Sequence, residues 1–232
     1  MIELVVFDMA GTTVYDGDAV NASFRAALAA SGVETDPAAV NPVMGLPKPE
    51  AIRILLEGSQ RFYTDTDVTV IHERFVSLMR DYYKSAPSVR EVPGATAAFV
   101  ELRRAGIKVA LNTGFSRPVS EVLLARLGWN SSAAIDADVA SDEVPRGRPH
   151  PDMIQSLMTR LNIRDARRVA KVGDTKADLM EGTNAGCGLV IGVTSGSFTR
   201  EQLQACPHTH IVESVAAVPR LILLESSGAT DR

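Results

Sequence analysis

The opening of the chain constrains its fold more than any other stretch. The apolar run Ile2-Glu3-Leu4-Val5-Val6-Phe7 delivers Asp8 into the turn Met9-Ala10-Gly11-Thr12-Thr13. A short β-branched run is the pattern of a buried strand, so Asp8 stands at a strand's carboxyl end, where open parallel α/β sheets bind their ligands. A second run, Arg168-Val169-Ala170-Lys171-Val172, ends in Gly173-Asp174-Thr175-Lys176-Ala177-Asp178. Two acidic strand tips in one sheet offer the hard oxygen ligands that Mg²⁺ takes, with waters and substrate oxygens completing its shell.

Between these runs the periodicity changes. Val20, Phe24, Ala27 and Leu28 share one helical face, and the same spacing returns in Ala51-Ile52-Leu55-Leu56 and Val70-Ile71-Phe75-Leu78-Met79. Strand patterns resume only near residue 107, so residues 15–90 read as a helical cap domain inserted into a core made of 1–14 and 91–232. Val92-Pro93-Gly94 marks the return to that core. From there helices are expected near 94–105, 117–127, 151–161 and 176–185, with strands at 107–112, 135–139, 168–172 and 188–193. This alternation predicts an α/β protein, a Rossmann-like parallel sheet core wrapped by helices and carrying the inserted helical cap. The end, Ser226 to Arg232, reads as frayed.

Charge narrows the classes of partner. Against 24 basic residues stand 28 acidic ones, a net of −4, which favours a small-molecule substrate over a nucleic acid or a membrane surface. No apolar run approaches the roughly 20 residues of a membrane span, and the opening segment lacks a basic flank. Cys187 and Cys206, without metal-ligand spacing, suit a reducing compartment, and the expected location is cytoplasmic.

Several residues are candidates for chemistry. A carboxylate such as Asp8, held beside Mg²⁺, can attack phosphorus and divide a difficult transfer into two easier steps. Thr113 and Gly114 follow a strand and open a helix, where a hydroxyl and free N–H groups suit phosphoryl oxygens. Arg148, before Pro149, offers a planar guanidinium for the same oxygens. Lys48 precedes Pro49 at a helix start, where the helix dipole favours the neutral amine that a Schiff base requires. His208 and His210 read as a loop and strand edge, and Trp129 as local packing after a helix.

In order and spacing, Asp8 with its Gly-Thr-Thr tail, Thr113, the loop Arg146-Gly147-Arg148-Pro149 and the Asp174/Asp178 pair resemble the four motifs of the haloacid dehalogenase superfamily. Asp8-Met9-Ala10-Gly11-Thr12-Thr13, Met44-Gly45-Leu46-Pro47-Lys48 and Val144-Pro145-Arg146-Gly147-Arg148-Pro149 are most similar to its phosphonatase-like branch. The resemblance implies Mg²⁺ on Asp8, the Ala10 carbonyl and Asp174, with Asp178 ordering the site. It also implies a catalytic set of Asp8, Lys48, Thr113 and Arg148, and substrate contacts at Thr12, Met44, Gly45 and Gly114. The implied substrate is a small phosphonate or phosphate, and the implied assembly is a homodimer through cap helices at 18–31 and 67–83.

Ala10 stands where phosphate-ester hydrolases of this superfamily usually carry the Asp that protonates a leaving alkoxide. A carbanion beside an imine needs no such proton, because its charge delocalises into an enamine, and Lys48 supplies the amine. Two positions depart from the branch. Ala51 replaces a histidine three residues after the lysine, and Phe115 replaces a tyrosine after Thr-Gly. An ordinary phosphate-ester phosphatase and a non-catalytic metabolite-binding domain are the competing readings.

Overall fold

The computed structural model of the protein describes residues 1–130 and 134–228, with side chains to residue 225. Strand β1 (Leu4–Asp8) is buried at every position, as its apolar run requires. Four helices follow it: α1 (Ala19–Ala29), α2 (Pro37–Val40), α3 (Lys48–Gly58) and α4 (Asp65–Ser85). Thr64 and Asp67 start α4 with a reciprocal capping box that satisfies two of its free amide donors. The α/β alternation then runs α5 (Ala95–Arg104), β2 (Lys108–Thr113), α6 (Arg117–Leu127), β3 (Ala137–Ala140), α7 (Asp152–Arg160), β4 (Val169–Gly173), α8 (Lys176–Asn184) and β5 (Leu189–Val193). It closes with α9 (Arg200–Gln204), β6 (His210–Val212) and α10 (Val218–Gly228).

The six strands lie in the order β3-β2-β1-β4-β5-β6, with every neighbouring pair parallel. The chain fills one side of β1 with β2 and β3, then crosses to β4 and builds outward on the other side. The order therefore reverses between β1 and β4, which opens a crevice at their carboxyl ends. Register places Asp8 opposite Asn112 and Phe7 opposite Val172, so Asp8 and the Asp174 that follows β4 meet at that crevice.

The expected α/β architecture with its helical insertion is present, and the sheet extends one strand beyond the alternation read from sequence. That strand, β6, is three residues long and only half-buried, so it leaves no run of alternating or apolar residues to detect. His210 belongs to it, and His208 lies in the loop before it. Helix α10 covers the first three positions of the expected frayed end, and 229–232 lie outside the described residues.

Alternation along β1 divides the interior. Leu4 and Val6 face Met153, Ile154 and Leu157 of α7, whereas Val5 and Phe7 join a larger apolar body on the opposite face. That body runs without interruption into the insertion, taking in Phe24, Ile52, Phe75 and Tyr83. Helix α4 packs on α1 and α3 within the insertion and on α6 of the sheet region. The two chain crossings are joined to each other: Tyr15 N donates to Arg90 O at 3.0 Å and Val92 N to Thr13 O at 2.8 Å.

Trp129 packs where local packing was expected, its ring 5.1 Å from Phe99 and its Nε1 donating to Thr96 Oγ1 at 3.1 Å. Phe99 also lies 5.3 Å from Phe7, which ties α5 to β1. Phe99→Ala is expected to lower the unfolding free energy by about 3–5 kcal/mol in urea titration, the usual cost of emptying a large aromatic site. A loss below about 1 kcal/mol would show that this face of the sheet collapses to fill the gap.

Candidate active site

A buried network of charges occupies the crevice at the end of β1. Arg148 is fully buried, and Asp8, Asn112, Asp178 and Glu181 surround its guanidinium. Its Nη1 lies 2.6 Å from Asp8 Oδ1 and 3.0 Å from Asp178 Oδ1, while Nε donates to Glu181 Oε2 at 3.0 Å. Its Nη2 donates to Asn112 Oδ1 at 2.6 Å and to the Asn112 carbonyl at 3.0 Å. Lys171, from the middle of β4, adds a second buried cation at 3.0 Å from Asp178 Oδ1 and 3.2 Å from Glu181 Oε2.

These contacts set the protonation of each member. Burial alone would discharge Arg148, but the carboxylates of Asp178, Asp8 and Glu181 outweigh it and hold the guanidinium charged. Burial likewise opposes ionisation of Asp178, yet Arg148, Lys171 and a hydrogen bond from Thr175 keep its carboxyl below the usual range. Asp178 Oδ2 accepts from Thr175 Oγ1 at 2.6 Å in the capping box that starts α8, which aims its other oxygen at the two cations. Asp8 moves the other way: burial first, then the charge of Asp178, raise its pKa against the pull of Arg148 and Lys171.

Asp174 differs in its partners. It accepts from Thr12 Oγ1 at 2.9 Å and from Ser197 N at 2.7 Å, and no cationic side chain of the described residues forms an ion pair with it. Gly11 and Gly196 crowd it so closely that a Cβ on either would fall 2.3 or 2.1 Å from Oδ2. Burial and the charges of Asp8 and Asp178 push its pKa up to about 8. One oxygen from each of Asp8, Asp174 and Asp178 lies within 4.8 Å of the others. In the crevice two cations, Arg148 and Lys171, face the four carboxyl groups of Asp8, Asp174, Asp178 and Glu181, so one divalent cation would balance all four in their ionised forms. Asp178 engages Arg148 and Lys171 through Oδ1 and Thr175 through Oδ2, whereas Asp8 engages Arg148 through Oδ1 alone, so Asp8 Oδ2 and the Asp174 carboxylate are the hard oxygens without a cationic partner among the described residues, and such donors fit Mg²⁺.

Beside the network lies a small chamber of about 20 Å³, room for little more than a water molecule. Asp8, Ala10, Thr113, Gly114 and Arg148 line its sheet side, and Met44, Gly45 and Lys48 line its other side. Thr113 Oγ1 accepts from Phe115 N at 3.1 Å, as a turn after a strand provides. Gly114 allows the insertion to approach, since a Cβ there would fall 2.7 Å from the Leu46 carbonyl. Gly45, at φ 83°, turns the chain at the same contact. Thr12 contacts Asp174 instead of the chamber. A cleft of about 320 Å³ adjoins the chamber through Met44 and Ser197, and Asp16 lines it. The wider surface hollows, of about 430 and 470 Å³, contain none of these residues.

Lys48 is the first residue of α3, 4% exposed, with Nζ 4.9 Å from the ring centre of Phe115, 5.3 Å from Phe24 and 5.9 Å from Phe75. Its one hydrogen bond among the described residues runs to the Leu46 carbonyl at 3.4 Å. Ring faces attract an ammonium, but loss of water costs more, and burial leads the fall of its pKa to about 8. Asp8 opposes that fall and Arg148 adds to it. The helix dipole invoked from sequence acts in the same direction as burial.

Sequence reasoning overlooked Lys171, Glu181 and Asn112, and the aromatic box around Lys48. A lysine inside an otherwise apolar buried strand was the available signal, as was a glutamate three residues after Asp178 on one helical face. Tyr83 was overlooked too. It is fully buried, its hydroxyl has no hydrogen-bond partner among the described residues, and such a group costs about 1–3 kcal/mol. The histidines play no part in the crevice: His208 binds the Cys206 carbonyl and His210 approaches Glu225.

Comparison with known proteins agrees with this geometry. The profile of the haloacid dehalogenase-like hydrolases matches residues 2–186. Phosphonoacetaldehyde hydrolase of Bacteroides fragilis is 31% identical over 236 residues, spanning 96% of this chain and 89% of its own. The enzyme of that name from Syntrophobacter fumaroxidans is 35% identical, spanning 94% and 82%. Two crystal structures share the fold: a hydrolase from Pseudomonas syringae, with TM-score 0.85, 17% identity and 97% and 98% coverage, and a phosphonoacetaldehyde hydrolase-like protein from Oleispira antarctica, with 0.82, 24%, 96% and 91%.

Lys171→Met is expected to destabilise the protein by about 3–5 kcal/mol, because it leaves Asp178 and Glu181 buried with one cation between them. Equilibrium denaturation measures this, and an unchanged midpoint would mean that Arg148 alone balances the crevice.

Proposed function

The chain belongs to the haloacid dehalogenase-like hydrolases, and from that membership we propose that it is a phosphonatase-like, Mg²⁺-dependent enzyme that cleaves the C–P bond of phosphonoacetaldehyde or a related carbonyl phosphonate. One observation carries the reading. A lysine amine whose pKa burial lowers to about 8 shares a small chamber with a strand-end carboxylate, and alanine occupies the usual place of the general acid. The names of the curated relatives point the same way.

The roles follow from placement. The neutral Lys48 amine adds to the substrate's aldehyde carbon, and loss of water leaves an iminium. Asp8 attacks phosphorus, and the C–P bonding pair moves into the iminium to form an enamine, so the leaving carbon needs no proton from residue 10. Water then attacks phosphorus to free Asp8 and release phosphate. Protonation of the enamine carbon and hydrolysis of the resulting imine return Lys48 and acetaldehyde. Asp8, Asp174 and the Ala10 carbonyl would hold Mg²⁺, which supplies positive charge against the phosphoryl oxygens when bound. Arg148 orients Asp8 through its 2.6 Å contact, with Thr113 and Gly114 lining the phosphoryl end of the chamber.

The chamber itself holds little more than one water, so on this reading a phosphonate is loaded by movement of the cap, 15–90, relative to the core, 1–14 and 91–232. The paired crossings at Thr13–Tyr15 and Arg90–Val92 are suited to act as its hinge. Ala51 and Phe115 favour a second reading, a phosphatase for a small phosphate ester in which Lys48 only attracts an anion, because neither offers a proton for imine chemistry.

Phosphate release from phosphonoacetaldehyde and from a panel of phosphate esters separates the two. We expect release from the phosphonate only with Mg²⁺, and its loss in Lys48→Arg; ester release indifferent to that change would establish the phosphatase. Where Lys48 chemistry limits the rate, turnover should rise with pH through an inflection near 8, as the amine loses its proton, instead of near its ordinary value of 10.5. Saturating Mg²⁺ should also raise the melting temperature, on the order of 5–10 °C at a hundredfold excess over Kd. That rise should vanish in Asp174→Asn, and an equal rise in both proteins would place the ion elsewhere.

A further inference from the structure

Imine chemistry at Lys48 needs a group beside the amine that moves protons, and neither Ala51 nor Phe115 is one. The carboxyls of Asp8, Asp178 and Glu181 are engaged by Arg148 and Lys171, and Asp174 is held by Thr12 and Ser197. Asp16 is a further carboxyl at this place, outside that network. It lines the cleft of about 320 Å³, whose walls share Met44 and Ser197 with the chamber. Asp18, also on the cleft, lies 3.9 Å from Arg25 Nη2, whereas Asp16 has no ion pair among the described residues.

Helix α1 fixes where the Asp16 carboxyl stands. Its two oxygens accept from Val20 N at 3.3 and 3.4 Å, longer than a well-formed N–H···O bond. Residues 16, 20 and 24 are four apart, so Asp16 heads the face of α1 that carries Val20 and Phe24. Val20 lines the chamber, and Lys48 Nζ lies 5.3 Å from the centre of the Phe24 ring. A weakly bonded carboxyl thus stands where chamber and cleft adjoin, at the head of the helix that forms one wall around the lysine. Burial raises its pKa to about 6, against the Val20 hydrogen bond and the charge of Lys48. Both protonation states are then populated near neutrality, which suits a group that gives and regains a proton in each turnover.

Resting on the phosphonatase-like reading above, we propose that Asp16 is the proton-transfer residue for Lys48, its carboxylic acid protonating the hydroxyl of the Lys48–substrate adduct, which departs into the cleft as water. The C–O bond breaks as the nitrogen lone pair forms the iminium, and Asp16 is left as the carboxylate. One proton balances the step, because amine, aldehyde and a proton together give iminium and water. Water in the cleft then returns a proton to Asp16.

Asp16→Asn tests this, because it keeps an oxygen for Val20 N and removes the carboxyl proton. The full-length wild type and variant are mixed with phosphonoacetaldehyde and sodium borohydride without Mg²⁺, and the reduced Lys48 adduct is followed by intact mass. We expect the variant to form the adduct about 100-fold more slowly. In Asp16→Ala, which opens space beside the cleft, added formate should restore part of the lost rate, a rescue that a residue merely starting α1 would not show. Adduct formation by Asp16→Asn at the wild-type rate would overturn the inference alone. Slow formation in both variants without rescue by formate would overturn it as well, by assigning the carboxyl a structural role. If the wild type forms no adduct at Lys48, the imine reading fails and the inference with it.

Discussion

Arg148 holds the carboxyl edge of the sheet in one geometry. Its five donors reach β1 through Asp8, β2 through Asn112 and α8 through Asp178 and Glu181, so two adjacent strands and the helix that follows β4 are fixed to one planar group. A guanidinium can do this because its donors point in set directions and it stays charged even when fully desolvated. A buried cation is tolerated only when carboxylates surround it, and buried carboxylates only when cations do. The crevice satisfies both conditions apart from Asp174, whose carboxyl has no cationic partner among the described residues and is driven toward its neutral form, and a hard divalent ion is the partner it lacks.

The cap side follows a different rule. Lys48 sits among aromatic rings with a single weak hydrogen bond, an environment that penalises its charge, while Arg148 across the chamber sits among carboxylates that favour charge. Two cations thus occupy neighbouring positions with opposite tendencies, one inclined to give up its proton and the other never doing so. Helix–sheet packing brings about this contrast. The apolar body that stabilises β1 through Phe7 continues through Phe75 and Phe24, so the rings that fasten the insertion to the sheet region also dry the lysine.

Glycines let the two sides meet. Gly114 admits the backbone of the loop that carries Met44 to Pro47, and Gly11 and Gly196 leave just enough space for the Asp174 carboxylate. The contact between insertion and sheet is consequently made at the chemistry itself. Lys48 and Asp8 therefore line the same small space from its two sides.

Much of this was present in the residue order. Short β-branched runs ending in Asp8 and Asp174 are local patterns, and they located the acid-bearing strand tips, while the long helical interval located the insertion. The charge network was not legible in the same way, because Lys171 and Glu181 become partners of Arg148 only after β4 and α8 are laid beside β1. Strand β6 was legible only as a strand edge at His210, because three half-buried residues have no periodicity from which to read a full strand. The sequence by itself determined which segments are strands and helices and which strand ends carry acids, since these depend on neighbours a few residues apart. Only the tertiary structure decided which cations balance those acids, which rings dry Lys48 and which hydroxyl is left unpaired, because the free energy of a buried charge or donor is set by groups distant in the chain and close in space.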